Sequence, residues 1–334
     1  MQRNYTIDIL RLVAAYGVVL AHLQPFKEGG EVPRFLGVLV VVPFFLVVSL
    51  YFLQARGASF ARMKPWRLIV PYICWSALYL GMRFAKAQMS GEELRVDWTA
   101  VIFNGAASVQ LYFIPALVCF QAVACALDTF FTSAKTKSWL WAVSTAILLG
   151  LAYVSEYRGY NGYVIGPQQG MFTLAIWYVL SAQIVVLAFR DTPGGRAAKL
   201  LSVTLAACAL SAIYVPPASA MSYALLPPVV AALILGAGVA WPIRTLPPWL
   251  IRILGTAYGI FLIHPLFIEA SELVAGQVGF ALTPYSEASR LLVGVGIFVA
   301  SLVAVLVIQR IPGLCYLLLG ERRQKALAPA PMKA

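Results

Sequence analysis

Charge is what this chain of 334 residues has least of: Asp, Glu, Lys and Arg together make up 11% of it, the acids number 13, and histidine occurs twice, as His22 and His264. Soluble chains carry about a quarter charged residues, so a water-soluble globule of this size is excluded. Cysteine is sparse as well. Cys74, Cys119, Cys125, Cys208 and Cys315 show no paired ligand spacing such as CxxC, so neither disulfides nor a metal site is expected. Internal repeats, low-complexity tracts and any stretch polar enough for a separate soluble domain are also missing. The opening segment is interrupted by Asp8 and Arg11, and no small-residue cleavage site follows Ala21-His22-Leu23. It is expected to stay as a first helix rather than be removed as a signal peptide.

What is present is apolar: 61% of the residues are hydrophobic and the mean hydropathy is +0.83. A bilayer is the natural solvent for such a chain, and each helical crossing of ~30 Å of hydrocarbon needs about 20 mostly apolar residues. Charge-free runs cover residues 35–55, 68–82, 98–127, 138–155, 159–189, 200–243, 253–268 and 291–309. The run 200–243 is too long for one crossing, and Val215-Pro216-Pro217-Ala218-Ser219 breaks it into a helical hairpin. The first ten or so residues of the runs beginning at 98 and 159 are rich in Gly, Asn and Gln, and read as loops leading into helices near 110–130 and 171–189. With a first helix near 7–25, the expected fold is an all-α polytopic integral membrane protein of about ten transmembrane helices. The transmembrane domain would span 1–320 and a short tail 321–334.

The formal charge of +12 does not call for nucleic acid, since Lys and Arg in a membrane chain report orientation. With the N-terminus inside, most of them fall on one side, among them Arg3, Arg11, Arg56, Arg62, Lys64, Arg67, Arg244, Arg252 and Arg310. The other side keeps Arg83, Arg158 and Arg290 and most of the acids, including Glu156, Glu269 and Glu272. Both termini are therefore expected in the cytoplasm.

An ionisable residue at the centre of a spanning helix costs ~2.5–3.5 kcal/mol on insertion scales, so each needs a reason. Asp8, Arg11 and His22 are spaced by 3 and 11 residues, which at 3.6 per turn puts them on one helix face directed into the bundle. Arg11 and His22 would stand roughly 16 Å apart along the axis at 1.5 Å per residue. Snorkelling of Arg11 beside Asp8, its i,i+3 partner, explains that pair equally well. His264 falls within another expected helix at a depth comparable to His22, so the two imidazoles point to a shared outward-facing site suited to proton transfer. A structural hydrogen bond from His264 explains its placement equally well.

Arg11, ten residues and His22, within Asp8-Ile9-Leu10-Arg11-Leu12-Val13-Ala14-Ala15, resemble the first-helix Arg-x10-His signature of the acyltransferase-3 family of integral membrane O-acyltransferases. Four further segments follow in the same order. Pro43-Phe44-Phe45-Leu46-Val47-Val48-Ser49 is similar to the family's aromatic second-helix motif, and Lys64-Pro65-Trp66-Arg67 with Leu68-Ile69-Val70-Pro71-Tyr72 to its basic entry into helix three. Tyr112-Phe113-Ile114-Pro115-Ala116-Leu117 looks like its helix-four motif, and Tyr258-Gly259-Ile260-Phe261-Leu262-Ile263-His264-Pro265-Leu266 like its late His-Pro motif. The similarity runs from residue 3 to about 310. The chain departs from the pattern at Leu50, where Gly is usual, at Lys64, where Arg is, and at Tyr112, often Trp.

The resemblance implies a multi-pass protein of a bacterial cytoplasmic (inner) membrane, with lipid around it. It would move an acyl group, most commonly acetyl, from cytoplasmic acyl-CoA to a hydroxyl of an extracytoplasmic carbohydrate such as an exported polysaccharide. Association with polysaccharide synthesis or export machinery is among its implications, no metal is required, and no oligomeric state follows from it. On this reading His22, Arg11 and His264 are catalytic, Arg11, Lys64 and Arg67 hold the donor phosphates, and Asp8 and Ser49 support the site. Positive-inside anchoring accounts for Arg56 and Arg62 as well. Glu156, Tyr157, Tyr160 and Asn161, in a segment with further polar and aromatic groups, offer a sugar stacking faces and hydrogen bonds. A solvated loop with interfacial tyrosines explains the same residues. A secondary transporter or a flippase for a lipid-linked sugar is the main rival, and a structural subunit of an export complex is another. The absence of repeated halves and of paired glycine-broken helices weighs against a transporter.

Overall fold

The computed structural model describes residues 3–23, 40–91, 93–130, 175–189, 220–277 and 287–321. Every regular element among them is helical. In chain order they are α1 (Tyr5–His22), α2 (Val42–Ala55), α3 (Phe60–Met63), α4 (Trp66–Ser90), α5 (Trp98–Asn104), α6 (Phe113–Phe130), α7 (Ala175–Ala188), α8 (Ala220–Ala240), α9 (Pro248–Leu254), α10 (Ala257–Gln277), α11 (Glu287–Ile308) and α12 (Pro312–Leu319). Among the described residues five helices, α1, α4, α6, α10 and α11, are long and apolar enough to cross a bilayer, and three shorter apolar ones join them in α2, α7 and α8. The expected helix over 138–155 and the first arm of the 200–243 hairpin lie outside the described residues; α8 corresponds to the second arm.

Lipid gives helices no hydrophobic reason to associate, so packing and interhelical hydrogen bonds do that work, the bonds at about 0.6–2 kcal/mol each. α2 is the hub. It is apolar on every side and buried on nearly all of it, and packs against α7, α8, α6 and α1. Gln54 ties its end to α7 by donating to the Val179 carbonyl at 3.0 Å. α1 lies between α10, α11, α8 and α2. Its first turn is fixed by Asn4, whose side chain accepts from Thr6 N at 3.0 Å and donates to the Gly238 carbonyl at 2.9 Å. The opposite behaviour is seen on α11, where Val295, Val299, Val303 and Val307 form an exposed stripe four residues apart. That stripe faces lipid.

Three elements differ from the sequence reading. The Gly- and Asn-rich approach to α6 contains the short helix α5, because Asp97 caps it by accepting from Ala100 N at 3.0 Å and Gly105 ends it at φ +69°. The run 253–268 belongs to a broken pair: Gly255 bonds back to Ile251 and Arg252, Thr256 Oγ1 donates to Ile253 at 2.6 Å, and α10 starts afresh at Ala257. Beyond residue 310 the chain turns at Pro312 into α12, which folds back against α4, where Trp75 Nε1 donates to the Leu318 carbonyl at 2.9 Å.

Candidate active site

Aromatic residues from three of the motif segments meet in the core. Phe45 of α2, Phe113 of α6 and Phe261 of α10 meet edge-on or tilted with ring centroids 4.9–6.4 Å apart, and Phe261 continues to the His264 ring at 6.3 Å. Phe261 lies beside His264, which is wholly buried. Two donors secure the backbone beside it: Tyr79 Oη donates to the Leu262 carbonyl at 2.8 Å, and Gln110 Nε2 reaches the same oxygen at 3.2 Å. Gln110 is held in turn by Ser108 Oγ at 2.7 Å. α10 is thereby pinned from α4 and from the loop before α6.

Against this fixed imidazole the last residue of α1 is placed. His22 Nδ1 lies 3.2 Å from His264 Nε2, with the ring centroids 4.9 Å apart, although 242 residues separate them in the chain. His22 Nδ1 also lies 2.9 Å from the Val18 carbonyl. Unlike His264, His22 is only half-buried, so it is the member of the pair that an incoming group can meet. Among the described residues nothing is hydrogen-bonded to its Nε2.

Arg290, assigned from the sequence only a side of the membrane, is buried and donates through Nη2 to the Leu20 carbonyl. That oxygen is among the last of α1, whose carbonyls have no helical donors, and a guanidinium there both caps the helix and complements its dipole. α11 approaches closely enough to do this because Gly294 leaves room for Leu20; a Cβ would come within 2.5 Å of Leu20 Cδ2. The signal in the sequence was an arginine standing immediately before the apolar run 291–309.

At the other end of α1, Asp8 is buried and bridges two cations, Arg3 at 2.9 Å and Arg11 at 3.5 Å. Arg11 is half-buried, with its side chain 31% exposed. It does not stand alone: Glu321, just past α12, interacts electrostatically with both Arg11 and Arg67. Desolvation raises the Glu321 carboxyl above its ordinary pKa, and the two cations oppose that rise. Two guanidinium groups acting on one anion make a donor set suited to phosphate. Lys64 sits one turn before Arg67, exposed and in the left-handed region at φ 45°, with its carbonyl accepting from Arg67 N at 3.1 Å. Arg62 is turned to the backbone, where Nη1 donates to Gly57 at 2.8 Å and to Arg56. Ser49 is half-buried on α2. Glu156, Tyr157, Tyr160 and Asn161 lie outside the described residues. No cluster of three metal-ligating side chains occurs among the described residues.

A bundle of apolar helices with a histidine pair at one end of its first helix and guanidinium groups toward the other is the architecture of a polytopic membrane protein. The chain matches the model of the acyltransferase-3 family, an acyltransferase domain, over residues 4–310, and it belongs to that family: it is a membrane acyltransferase. Comparison with curated proteins and with solved structures finds no match. Glu321 and all of α12 fall beyond the matched residues.

Proposed function

We propose that this acyltransferase moves an acyl group, acetyl being the simplest, from acyl-CoA on the cytoplasmic side to a hydroxyl of an extracytoplasmic carbohydrate in a bacterial inner membrane. The observation that carries the reading is the 3.2 Å contact between the chain's two histidines at the end of the helix that carries Arg11 in its first half. Arg11 and Arg67, with Lys64 at the entrance, hold the nucleotide phosphates. The thioester arm reaches along α1 toward His22. That residue takes the proton from the acceptor hydroxyl, the oxygen attacks the thioester carbonyl, the carbon–sulfur bond breaks, and the proton returns from His22 to the leaving thiolate. Acyl ester and free thiol are the products, and no covalent enzyme intermediate is needed.

Positioned general-base catalysis contributes ~10²–10⁴ in rate. His22→Ala is expected to lower acylation by that factor at unchanged protein abundance, measured as the added mass on surface polysaccharide in a strain carrying the variant in place of the wild type. Full acylation by the variant at normal abundance refutes the assignment.

A further inference from the structure

Proline has no N–H, so Pro265 inside α10 leaves the carbonyl of Phe261, four residues earlier, without its helical donor. The adjacent residue fills the gap. His264 Nδ1 lies 2.9 Å from the Phe261 oxygen and 3.1 Å from that of Ile260. A carbonyl only accepts, so Nδ1 carries the hydrogen, and in a neutral imidazole Nε2 is then a bare acceptor. That acceptor faces His22 Nδ1. His22 Nδ1 is bound to the Val18 carbonyl and must likewise carry a hydrogen, which it shares between Val18 and His264. A doubly protonated His264 would set N–H against N–H and place a charge in a fully buried apolar pocket. Both rings neutral and both protonated at Nδ1 is the pattern that satisfies all four contacts without placing a charge in the bundle.

We propose that His264 is a positioning residue which, fixed by the carbonyl that Pro265 frees, locks His22 in the Nδ1–H tautomer and makes Nε2 of His22 the proton-accepting atom. The consequence is chemical. A free neutral imidazole prefers its hydrogen on Nε2, and a His22 in that form would present an N–H to the acceptor hydroxyl and have no lone pair to receive its proton. With the lock in place, the hydroxyl proton moves to Nε2. The resulting imidazolium keeps its Nδ1–H on Val18 and His264, and Nε2 later gives the proton to the thiolate. His264 orients the base, as the hydrogen bond on one ring nitrogen generally sets the role of the other, and itself exchanges no proton. The final step rests on the acyl-transfer reading; the tautomer assignment does not.

Because the chain has two histidines only, nitrogen-15 labelling of histidine in the full-length protein in lipid nanodiscs gives NMR signals from this pair alone, assigned with the single variants. The expected result is a protonated Nδ1 and an unprotonated Nε2 on both rings. Hydrogen on Nε2 of either ring overturns the proposal. A second arm uses transfer from acetyl-CoA to surface polysaccharide taken from a strain lacking the protein. His264→Gln supplies an amide oxygen able to accept from His22 Nδ1 and is expected to stay within about tenfold of wild type, while His264→Ala falls by about a hundredfold. Equal loss in the two variants means that His264 exchanges protons itself, which overturns the positioning role. If wild-type protein transfers no acyl group, the functional reading fails while the NMR result still decides the tautomer.

Discussion

Arg11 is held by Asp8 on one side and acted on by Glu321 on another, and this double anchoring decides what its replacement should do. Lysine keeps the charge but not the planar fork that grips phosphate in two directions. Arg11→Lys is therefore expected to raise the KM for acyl-CoA by roughly tenfold with little change in kcat, read from steady-state kinetics on purified protein; a fall in kcat with KM unchanged contradicts a donor-binding role. Arg11, His22 and His264 stood out in the sequence because an ionisable side chain in an apolar helix is costly enough to demand a purpose. Arg290 belongs to the same class, but an arginine near a helix end reads equally as a topological signal. Its contact with Leu20 is long-range, and spacing along one helix contains no information about it. Gln110 is a similar case: a neutral amide in a loop carries little warning that it will be fully buried against α10.

Among the elements, α10 and α12 show best how local chemistry builds the site. Pro265 was visible as part of a motif, but the role of a proline in a helix lies in the carbonyl it strands, and which donor answers depends on the neighbouring side chain. α12 was not anticipated, because after the last long apolar run eight residues cannot cross a membrane and give little periodicity to read. It is nevertheless anchored on α4 through Trp75 and Leu318 and closes at Gly320, φ +66°, against the backbone of Arg67. A Cβ at Gly320 would collide with the Arg67 carbonyl in a conformation that L residues avoid. Gly320→Ala is expected to cost ~1–3 kcal/mol and to lower the thermal unfolding midpoint in detergent, with donor KM rising as Arg67 and Glu321 shift. An unchanged midpoint and KM would show that α12 is not coupled to the basic end. The helices α2, α4, α6, α7 and α11 were legible from hydropathy alone; the break at Gly255 was not, since apolar composition continues straight through it.

For the whole molecule, the proposed division of labour rests on one helix whose two ends carry different groups. Guanidinium groups gather near the start of α1, an imidazole pair closes where it ends, and α11 turns an exposed valine stripe outward. Composition excluded a soluble fold at once, and family membership over residues 4–310 agrees with the ordered motifs. Sidedness rests on the distribution of Lys and Arg. The direct measurement is vectorial transfer in sealed proteoliposomes of uniform orientation, with acetyl-CoA given only to the face that carries Arg67 and the polysaccharide acceptor only to the opposite face. The proposed function predicts acylated polysaccharide on the acceptor face, lost with His22→Ala. Product that forms only when donor and acceptor share one face would contradict it.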